Sequence, residues 1–309
     1  MSKKILLALG GNALGSNLEE QMAAVHQTGK AIAKLVEEGY EIVITHGNGP
    51  QVGLVSDVFS CYEADHVTSH FTLSLCVSLT QGLIGYDLQN AVREELLNRG
   101  LEKYVSTLIT QVVVDKKDPA FNMPTKPIGP FYDSKTALSM IGNGVNMMED
   151  SGRGHRRVVA SPKPIRIVEK NTIKTLLDSG EIVIACGGGG IPVVKEGNHL
   201  RGVEAVVDKD FASAKLAEAL EVDYFVILTA VEKVAINFGK ENEMWLDELT
   251  CEKASEYMEQ GQFGIGSMQP KVQACIDFIE GNPESVALIT HLDKVSEGLA
   301  GLTGTRIVK

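Results

Sequence analysis

Three common signatures of nucleotide-using enzymes are missing from this sequence of 309 residues. No G-x-x-x-x-G-K-[ST] segment occurs, which excludes the ordinary P-loop. No G-x-G-x-x-G occurs either, because Gly47 and Gly49 are followed by a glycine only at Gly53. The protein-kinase signature set is also missing. A Rossmann oxidoreductase, one possible class, therefore lacks its best sequence support.

Basic charge, paired cysteines and long apolar runs are missing as well. The net charge is −11, so no overall basic field attracts nucleic acid or an anionic membrane. The five cysteines are odd in number and include no C-x-x-C pair, which favours free thiols in a reducing compartment. The N-terminus lacks a signal-peptide core, and no apolar run reaches membrane-spanning length. We expect a cytoplasmic protein that binds neither nucleic acid nor membrane.

What the sequence does contain is a series of strand-like runs that end in glycine. Apolar, β-branched runs of buried-strand length lie at 5–9, 41–45 and 182–186. Glycines follow them at 10–11, 47–49 and 187–190. Helical patterns lie between the strands, which predicts an α/β protein with a parallel sheet. The glycine turns then meet at the carboxyl edge of that sheet, where backbone amides can bind a phosphate or a small anion.

The rest of the chain continues this pattern with one exception. We predict mostly helix over 52–99 and 169–179, a long β-rich run over 104–115, and further strands at 224–229, 285–290 and 305–308. Additional helices are expected at 208–220, 251–260 and 272–280. Residues 116–163 contain five prolines together with aliphatic and aromatic residues, which indicates a small folded excursion beyond the sheet edge.

Three lysines lie in constrained turns. Lys126 is framed by prolines, Lys209 lies between Asp208 and Asp210 at the start of a helical pattern, and Lys271 follows a Gly-Ser-Met-Gln-Pro turn. Most lysines are simply solvated, so this context alone makes the three candidates for binding a phosphorylated ligand. The basic cluster Arg153, Arg156 and Arg157 allows a phosphate site too, although a solvated or interface face is the plainer expectation.

Several longer motifs, taken in order, resemble the carbamate kinases of the amino-acid-kinase superfamily. They are ALGGNAL at 8–14, HGNGPQVG at 46–53, TQGLIGY at 80–86, PTKPIGPF at 124–131, SPKPI at 161–165, CGGGGIPVV at 186–194, EAVVDKDFAS at 204–213, INFGK at 236–240 and GSMQPK at 266–271. The similarity covers essentially the whole chain. The motifs PTKPIGP and GGGGIPVV are far more specific than a single glycine turn.

The resemblance implies a fold and an activity. The fold is a three-layer αβα sandwich with a mainly parallel central sheet and a small protruding subdomain at about 116–163. One domain over 1–309 would have a carbamoyl-phosphate lobe at 1–218 and a nucleotide lobe at 219–309. The reaction is reversible phosphoryl transfer from carbamoyl phosphate to ADP, which gives ATP and carbamate with Mg²⁺. A homodimer and a place in the catabolism of arginine or related ureido compounds are implied as well.

The resemblance also assigns site residues. Catalytic roles fall to Lys126, Lys209, Asp210 and Lys271, and the substrate would lie against Gly10, Gly11, Asn12, Gly47, Asn48 and Gly49. The nucleotide would contact Gly187, Gly188, Thr229, Asn237, Phe238, Lys240, Gly266, Ser267 and Met268. Asp210 either orients the lysines or holds the metal, and the sequence leaves both open. Lys126 would replace the first-strand lysine of related kinases, since Ala8 stands at about that position.

Four residues depart from the family pattern. They are Ser74, His155, Ala160 and Ala230, of which Ser74 affects helix capping or support of the substrate site. None of the departures removes a catalytic lysine. Two alternatives keep the fold: a kinase of another small carboxylate or carbamate-like anion, and a nucleotide-binding regulator without turnover. A larger acceptor would need a dedicated arginine or apolar pocket, which the sequence does not clearly show.

Overall fold

The computed structural model describes residues 2–11, 18–66, 70–150 and 152–309. The strands, in chain order, are β1 Lys4–Leu9, β2 Glu41–His46, β3 Val105–Thr107, β4 Gln111–Val114, β5 Lys126–Tyr132, β6 Met147–Glu149, β7 His155–Val159, β8 Pro164–Ile167, β9 Ile182–Ile184, β10 Ile191–Glu196, β11 His199–Gly202, β12 Tyr224–Thr229, β13 Val234–Ile236, β14 Met244–Leu246, β15 Glu248–Thr250, β16 Val286–His291 and β17 Thr305–Val308. The helices are α1 Leu18–Glu37, α2 Gly49–Asp65, α3 Leu73–Asn98, α4 Ser134–Gly142, α5 Lys170–Asp178, α6 Lys209–Leu220, α7 Cys251–Glu259, α8 Met268–Gly281 and α9 Val295–Leu299.

An eight-stranded sheet forms the centre of the protein. Its strand order is β15-β17-β16-β12-β1-β2-β9-β3, and all neighbours are parallel except β16 and β17. In register, Leu7 of β1 lies between Val226 of β12 and Ile44 of β2. These central strands are buried on both faces, which explains their uninterrupted apolar sequences.

Helices cover both faces of this sheet, and each face has its own core. Alternate residues of β1 point to opposite faces, so Ile5, Leu7 and Leu9 join one core while Leu6 and Ala8 join the other. The first core includes Val25 and Ile32 of α1, Ile84 and Leu88 of α3, and Val295 of α9. The second includes Ile173 of α5, Leu216 of α6, Ala254 of α7 and Phe278 of α8. The expected three-layer αβα sandwich is confirmed.

Two predicted segments are divided in the structure. The run 104–115 was expected as one β-rich element, but β3 pairs with β9 in the main sheet while β4 belongs to a second sheet of order β11-β10-β4-β8. The side chain of Gln81 fixes the turn between them, because its Oε1 accepts the amide hydrogen of Thr110 at 2.9 Å. The helical region 52–99 is likewise two helices, α2 and α3, and Thr72 caps the second by accepting the amide hydrogen of Leu75.

The proline-rich excursion is a small subdomain with its own sheet. Strands β5, β7 and β6 pair antiparallel in that order, and α4 lies between β5 and β6 in the chain. The subdomain packs closely on α2, since a Cβ placed on Gly53 would lie only 2.0 Å from Cα of Gly129 in β5. The protruding subdomain predicted from the sequence is therefore confirmed. In the described parts of the chain, every helix is too short or too polar to cross a membrane.

Candidate active site

The N-terminus of α6 carries the centre of the candidate site. Asp208 precedes the helix in an extended conformation, and its Oδ1 accepts the amide hydrogen of Asp210 at 2.8 Å. An aspartate at this position satisfies one of the free amides of the first helical turn and is favoured by the helix dipole. The sequence Asp-Lys-Asp therefore begins the helix at Lys209 and directs three charged side chains toward the carboxyl edge of the sheet.

Asp210 joins two lysines from different helices. Its Oδ1 accepts a hydrogen bond from Nζ of Lys209 at 2.6 Å, and its Oδ2 accepts one from Nζ of Lys271 in α8 at 2.8 Å. All three side chains are largely buried. Burying these charges is tolerable only because each has a close partner of opposite sign. One carboxylate thus holds two ammonium groups side by side.

Burial and the neighbouring charges change the ionisation of these groups in different directions. Burial favours a raised pKa at Asp210, but the ammonium groups of Lys209 and Lys271 outweigh it and hold that pKa well below its usual range. Burial lowers the pKa of Lys209, and the charge of Lys271 adds to this against the attraction of Asp210. At Lys271 burial opposes the charge, but Asp210 prevails and raises the pKa. An anionic ligand would therefore stabilise the charged form of Lys209 more than that of Lys271.

The third predicted lysine reaches the same place from the subdomain. Lys126 begins β5, and its Nζ forms an ion pair with Oδ2 of Asp208. Asp208 is not among the site residues predicted from the sequence, although an aspartate directly before a helical pattern is an N-cap signal. Asp208 and Asp210 together connect Lys126, Lys209 and Lys271, so three lysines distant in sequence converge at one helix end.

The 47–49 turn, which comprises Gly47, Asn48 and Gly49, lies beside these charges. A Cβ placed on Gly47 would lie 3.3 Å from Cδ of Lys209, so the turn and the lysine stem are in contact. Gly49 begins α2, so the first amides of that helix lie at the turn. The turn and the N-terminus of α6 therefore lie at the same edge of the main sheet.

The two glycines after β1 were both predicted to contact the substrate, but their surroundings differ. The amide of Gly10 donates to the carbonyl of Leu228 in β12 at 3.1 Å, so it is not a free donor for a ligand. A Cβ on Gly10 would lie 2.6 Å from that carbonyl oxygen, which explains the glycine by close approach of two strands. Gly11 is exposed, and a Cβ placed on it would meet no atom within 4 Å among the residues that the structure describes. Asn12, the remaining predicted substrate residue, lies outside the described residues.

Gly187 and Gly188 contact the end of β2. Gly188 has a φ of +65°, and a Cβ there would lie 2.2 Å from Nδ2 of Asn48, which itself donates to Oγ1 of Thr80 at 2.8 Å. The carbonyl of Gly187 accepts a hydrogen bond from Nε2 of Gln81 at 2.9 Å. Their predicted nucleotide contact stays a prediction, but Gly188 lies against Asn48, a residue of the predicted substrate set.

His46 is a buried residue that the sequence analysis did not single out. Its Nδ1 lies 2.9 Å from the carbonyl oxygen of Gly47, and Nε2 has no hydrogen-bond partner among the residues that the structure describes. Burial lowers the pKa of His46 to about 4, and the nearby charge of Lys209 acts in the same direction. His46 is thus neutral at physiological pH, which fits a place beside a cluster of lysines.

The remaining predicted nucleotide residues lie at the end of β12, after β13 and around the start of α8. Asn237 has a φ of +53°, and its amide donates to Oε1 of Gln262 at 2.9 Å, which joins it to the segment that leads into α8. Phe238 is exposed and its ring lies 6.1 Å from that of Trp245. Gly266, Ser267 and Met268 lead into or begin α8, Lys240 is exposed beyond Phe238, and Thr229 ends β12.

A sequence model described as "Amino acid kinase family" matches residues 3–289. The chain belongs to the amino acid kinase family. The "Carbamate kinase-like protein YqeA" of Escherichia coli (strain K12) is 57% identical over 308 residues, which cover 99% of both chains. The carbamate kinase of Clostridium perfringens (strain 13 / Type A) is 51% identical over 313 residues, 99% of this chain and 100% of that one. A carbamate kinase from Giardia lamblia bound to AMP-PNP superposes with a TM-score of 0.90 at 38% identity, with 100% and 99% of the chains covered.

In this amino acid kinase, the immediate neighbours of the Asp210 carboxylate are two ammonium groups. Both of its carboxylate oxygens accept hydrogen bonds from ammonium groups, which compete with a cation for the same lone pairs. Among residues 2–11, 18–66, 70–150 and 152–309, no group of three His, Cys, Asp or Glu side chains is arranged to hold a metal ion. The metal role that the sequence left open for Asp210 stays a prediction.

The four departures from the family pattern are accommodated in this kinase without loss of the site. Thr72 caps α3, and its Oγ1 lies 2.7 Å from Oγ of Ser74, so capping does not depend on an aspartate there. Ala160 is buried, and its carbonyl accepts the amide hydrogen of Val206 at 3.0 Å. His155 pairs with Tyr132 across β5 and β7, and Ala230 is exposed after β12.

Proposed function

We propose that this protein is a carbamate kinase that transfers the phosphoryl group of carbamoyl phosphate to MgADP, and catalyses the reverse reaction. The observation that carries this proposal is the cluster of Lys126, Lys209 and Lys271 on Asp208 and Asp210 beside the 47–49 turn. Carbamate kinases related over the full chain support the choice of carbamate as acceptor.

The reaction needs charge neutralisation and alignment more than a strong base, because carbamate is already an anion. Two negatively charged reactants must be held in line while the phosphoryl group moves between them. The three ammonium groups would surround that group, and Asp210 would keep Lys209 and Lys271 oriented for it. Lys126 exchanges Asp208 for the phosphoryl oxygens when the substrate binds.

We assign the lobes as the resemblance implies. Residues 1–218 would bind carbamoyl phosphate, with the subdomain at about 116–163 covering it, and residues 219–309 would bind the nucleotide. Asn237, Phe238 and Lys240 would contact the nucleotide together with the start of α8. Gly187 and Gly188 would also contact the nucleotide, and Gly188 lies against Asn48 of the substrate set as well.

The test is ATP formation from MgADP, with carbamoyl phosphate compared with acetyl phosphate and other small acyl phosphates. We expect carbamoyl phosphate to be used with a kcat/KM at least tenfold above the others. Preference for another acyl phosphate would favour the kinase of a different small anion, an alternative kept open by the relative named carbamate kinase-like. Nucleotide binding without turnover of any of them would favour a regulator.

A homodimer is part of the proposal. Helices α2 and α3 expose two apolar rows at i, i+4, i+8 spacing, made of Leu54, Val58 and Tyr62 and of Leu75, Leu79 and Leu83. Adjacent exposed apolar rows of this kind are typical of association surfaces. We expect light scattering to give a dimer for the wild type and for Leu138→Glu, which changes an exposed apolar residue of the subdomain, but a monomer for Leu79→Glu.

Location and metabolic role complete the proposal. All five cysteines are free, three of them buried, which fits a reducing compartment and supports a cytoplasmic enzyme. Carbamoyl phosphate would come from an enzyme that cleaves a ureido compound with phosphate, as in the catabolism of arginine. Growth on arginine or a related ureido compound as the energy source, with and without the gene, tests this role.

A further inference from the structure

Two cationic side chains flank the 47–49 turn, Lys209 on one side and Arg156 on the other. A Cβ on Gly47 would lie 3.3 Å from Cδ of Lys209, while a Cβ on Gly49 would lie 3.9 Å from Nη2 of Arg156. Lys209 comes from α6 and Arg156 from β7 of the subdomain. An anion seated on this turn would therefore lie within reach of both an ammonium and a guanidinium group.

Arg156 is held in place by its other atoms. Its Nε donates to the carbonyl of Gly129 at 3.0 Å, its Nη1 lies 3.3 Å from Oδ2 of Asp150, and its guanidinium lies 5.2 Å from the ring centre of Phe131. The contacts at Nε and Nη1 leave Nη2 as the atom nearest Gly49. A guanidinium fixed in this way is pre-organised to donate to a carboxylate or a carbonyl oxygen.

Arg153 provides an internal comparison. It also contacts Asp150, at 3.4 Å, and its guanidinium also lies over Phe131, at 4.7 Å. Its side chain is 63% exposed, whereas that of Arg156 is 14% exposed. The two arginines thus share their neighbours in the subdomain, and only Arg156 extends to the 47–49 turn.

We propose that Arg156 contacts the substrate and stabilises the carbamate end of carbamoyl phosphate, on the opposite side of the turn from the lysines that neutralise the phosphoryl group. This inference rests on the proposed function. The sequence alone did not single out Arg156 from the basic cluster that it forms with Arg153 and Arg157.

The chemistry gives such a residue a defined task. In the ATP-forming direction, an oxygen of the ADP β-phosphate forms a bond to phosphorus, and the bond between phosphorus and the carbamoyl oxygen breaks. The electron pair of the broken bond stays on that oxygen, which leaves as part of the carbamate anion, and no proton has to move. Arg156 would donate to the oxygen on which this negative charge develops, where a fixed donor accelerates the reaction most.

The test compares Arg156→Ala, Arg156→Lys and the control Arg153→Ala in ATP formation and in carbamoyl phosphate binding without ADP. We expect kcat/KM to fall about 100-fold in Arg156→Ala, the effect typical of losing one donor to a developing oxyanion. Arg156→Lys should fall about 10-fold, because it keeps the charge but not the planar fork. Arg153→Ala should stay within threefold of wild type. Guanidinium ion at a non-denaturing concentration should restore part of the rate of Arg156→Ala only.

Each other outcome has a separate meaning. An active wild type with Arg156→Ala within threefold of it would overturn the inference and leave the proposed function intact. A loss that guanidinium does not relieve, together with a lower melting temperature, would reassign Arg156 to holding the subdomain and overturn it too. An inactive wild type would refute the proposed function. In that case, carbamoyl phosphate binding tests the inference on its own. Weaker binding by Arg156→Ala than by the wild type supports the contact, and equal or undetectable binding refutes it.

Discussion

Asp210→Asn is the substitution whose effect follows most directly from the structure. The side chain keeps its shape but loses the charge that holds Lys209 and Lys271 at 2.6 and 2.8 Å. Two buried ammonium groups then face each other without a carboxylate. Removing one partner from a buried ion pair destabilises a protein by about 3–5 kcal/mol.

This free energy converts into a measurable shift in melting temperature. With an unfolding entropy of about 2.1 cal/mol/K per residue over the whole chain, 3–5 kcal/mol corresponds to a decrease of roughly 5–8 °C. The deficit should depend on pH. Without Asp210, the pKa of Lys209, which burial already lowers, falls further, so the folded variant binds fewer protons than the unfolded chain. Its stability therefore rises with pH until the unfolded lysine also loses its proton.

The assay is thermal unfolding of wild type, Asp210→Asn and a control at about pH 7 and about pH 9.5. Asp277→Asn is a suitable control, because it makes the same chemical change at an exposed position of α8, the helix that carries Lys271. We expect a large deficit for Asp210→Asn at neutral pH that shrinks at alkaline pH, and a small one for the control at both. A variant that melts within 1 °C of wild type at neutral pH would refute the charge balance described for the site.

Three further predictions concern the support of the site. The free energy of unfolding of the wild type should fall by up to about 3 kcal/mol as the pH drops from about 6.5 to about 4, because folded His46 resists protonation while the unfolded side chain accepts it. Urea unfolding of His46→Gln should not show this pH-dependent loss of stability. The same pH dependence in His46→Gln and wild type would contradict the prediction. Gly53→Ala should lower the free energy of unfolding by about 1–3 kcal/mol in urea, because the added methyl group meets Gly129. The control Gly82→Ala, in open space on α3, should be neutral or stabilising. Equal effects of the two substitutions would refute the close packing of the subdomain on α2. Gln81→Leu should lower the free energy of unfolding by about 3 kcal/mol, because three hydrogen bonds to the backbone of Thr110 and Gly187 lose their buried partner. A decrease below about 1 kcal/mol would show that water replaces these hydrogen bonds.

The central strands and their glycine turns could be predicted because their signals are local. A strand buried on both faces must be apolar throughout, and a glycine is required where two backbones meet, as Gly10 meets Leu228. The convergence of Lys209 and Lys271 did not follow from such local signals and came from the family resemblance. Lys271 lies 61 residues beyond Asp210, the carboxylate that it shares with Lys209, and only the packing of α6 on α8 brings them together.

Other features depend on contacts that a linear pattern does not contain. The division of 104–115 between two sheets depends on the side chain of Gln81, which lies 29 residues before its partner Thr110. The position of Gly188 against Asn48 depends on the pairing of β9 with β2, and that of Arg156 against Gly49 on the packing of the subdomain on α2. The role of Asp208 had a local N-cap signal, but its ion pair with Lys126 spans 82 residues.

The most direct test of the account is ATP formation from MgADP and carbamoyl phosphate by the wild type, Lys126→Ala, Lys209→Ala and the control Lys135→Ala. Lys135 is an exposed lysine of α4 in the same subdomain as Lys126. The account predicts turnover in wild type and Lys135→Ala, and a decrease of at least 100-fold in the other two while they stay folded. Full activity in either Lys126→Ala or Lys209→Ala would contradict the claim that the converging lysines neutralise the transferred phosphoryl group.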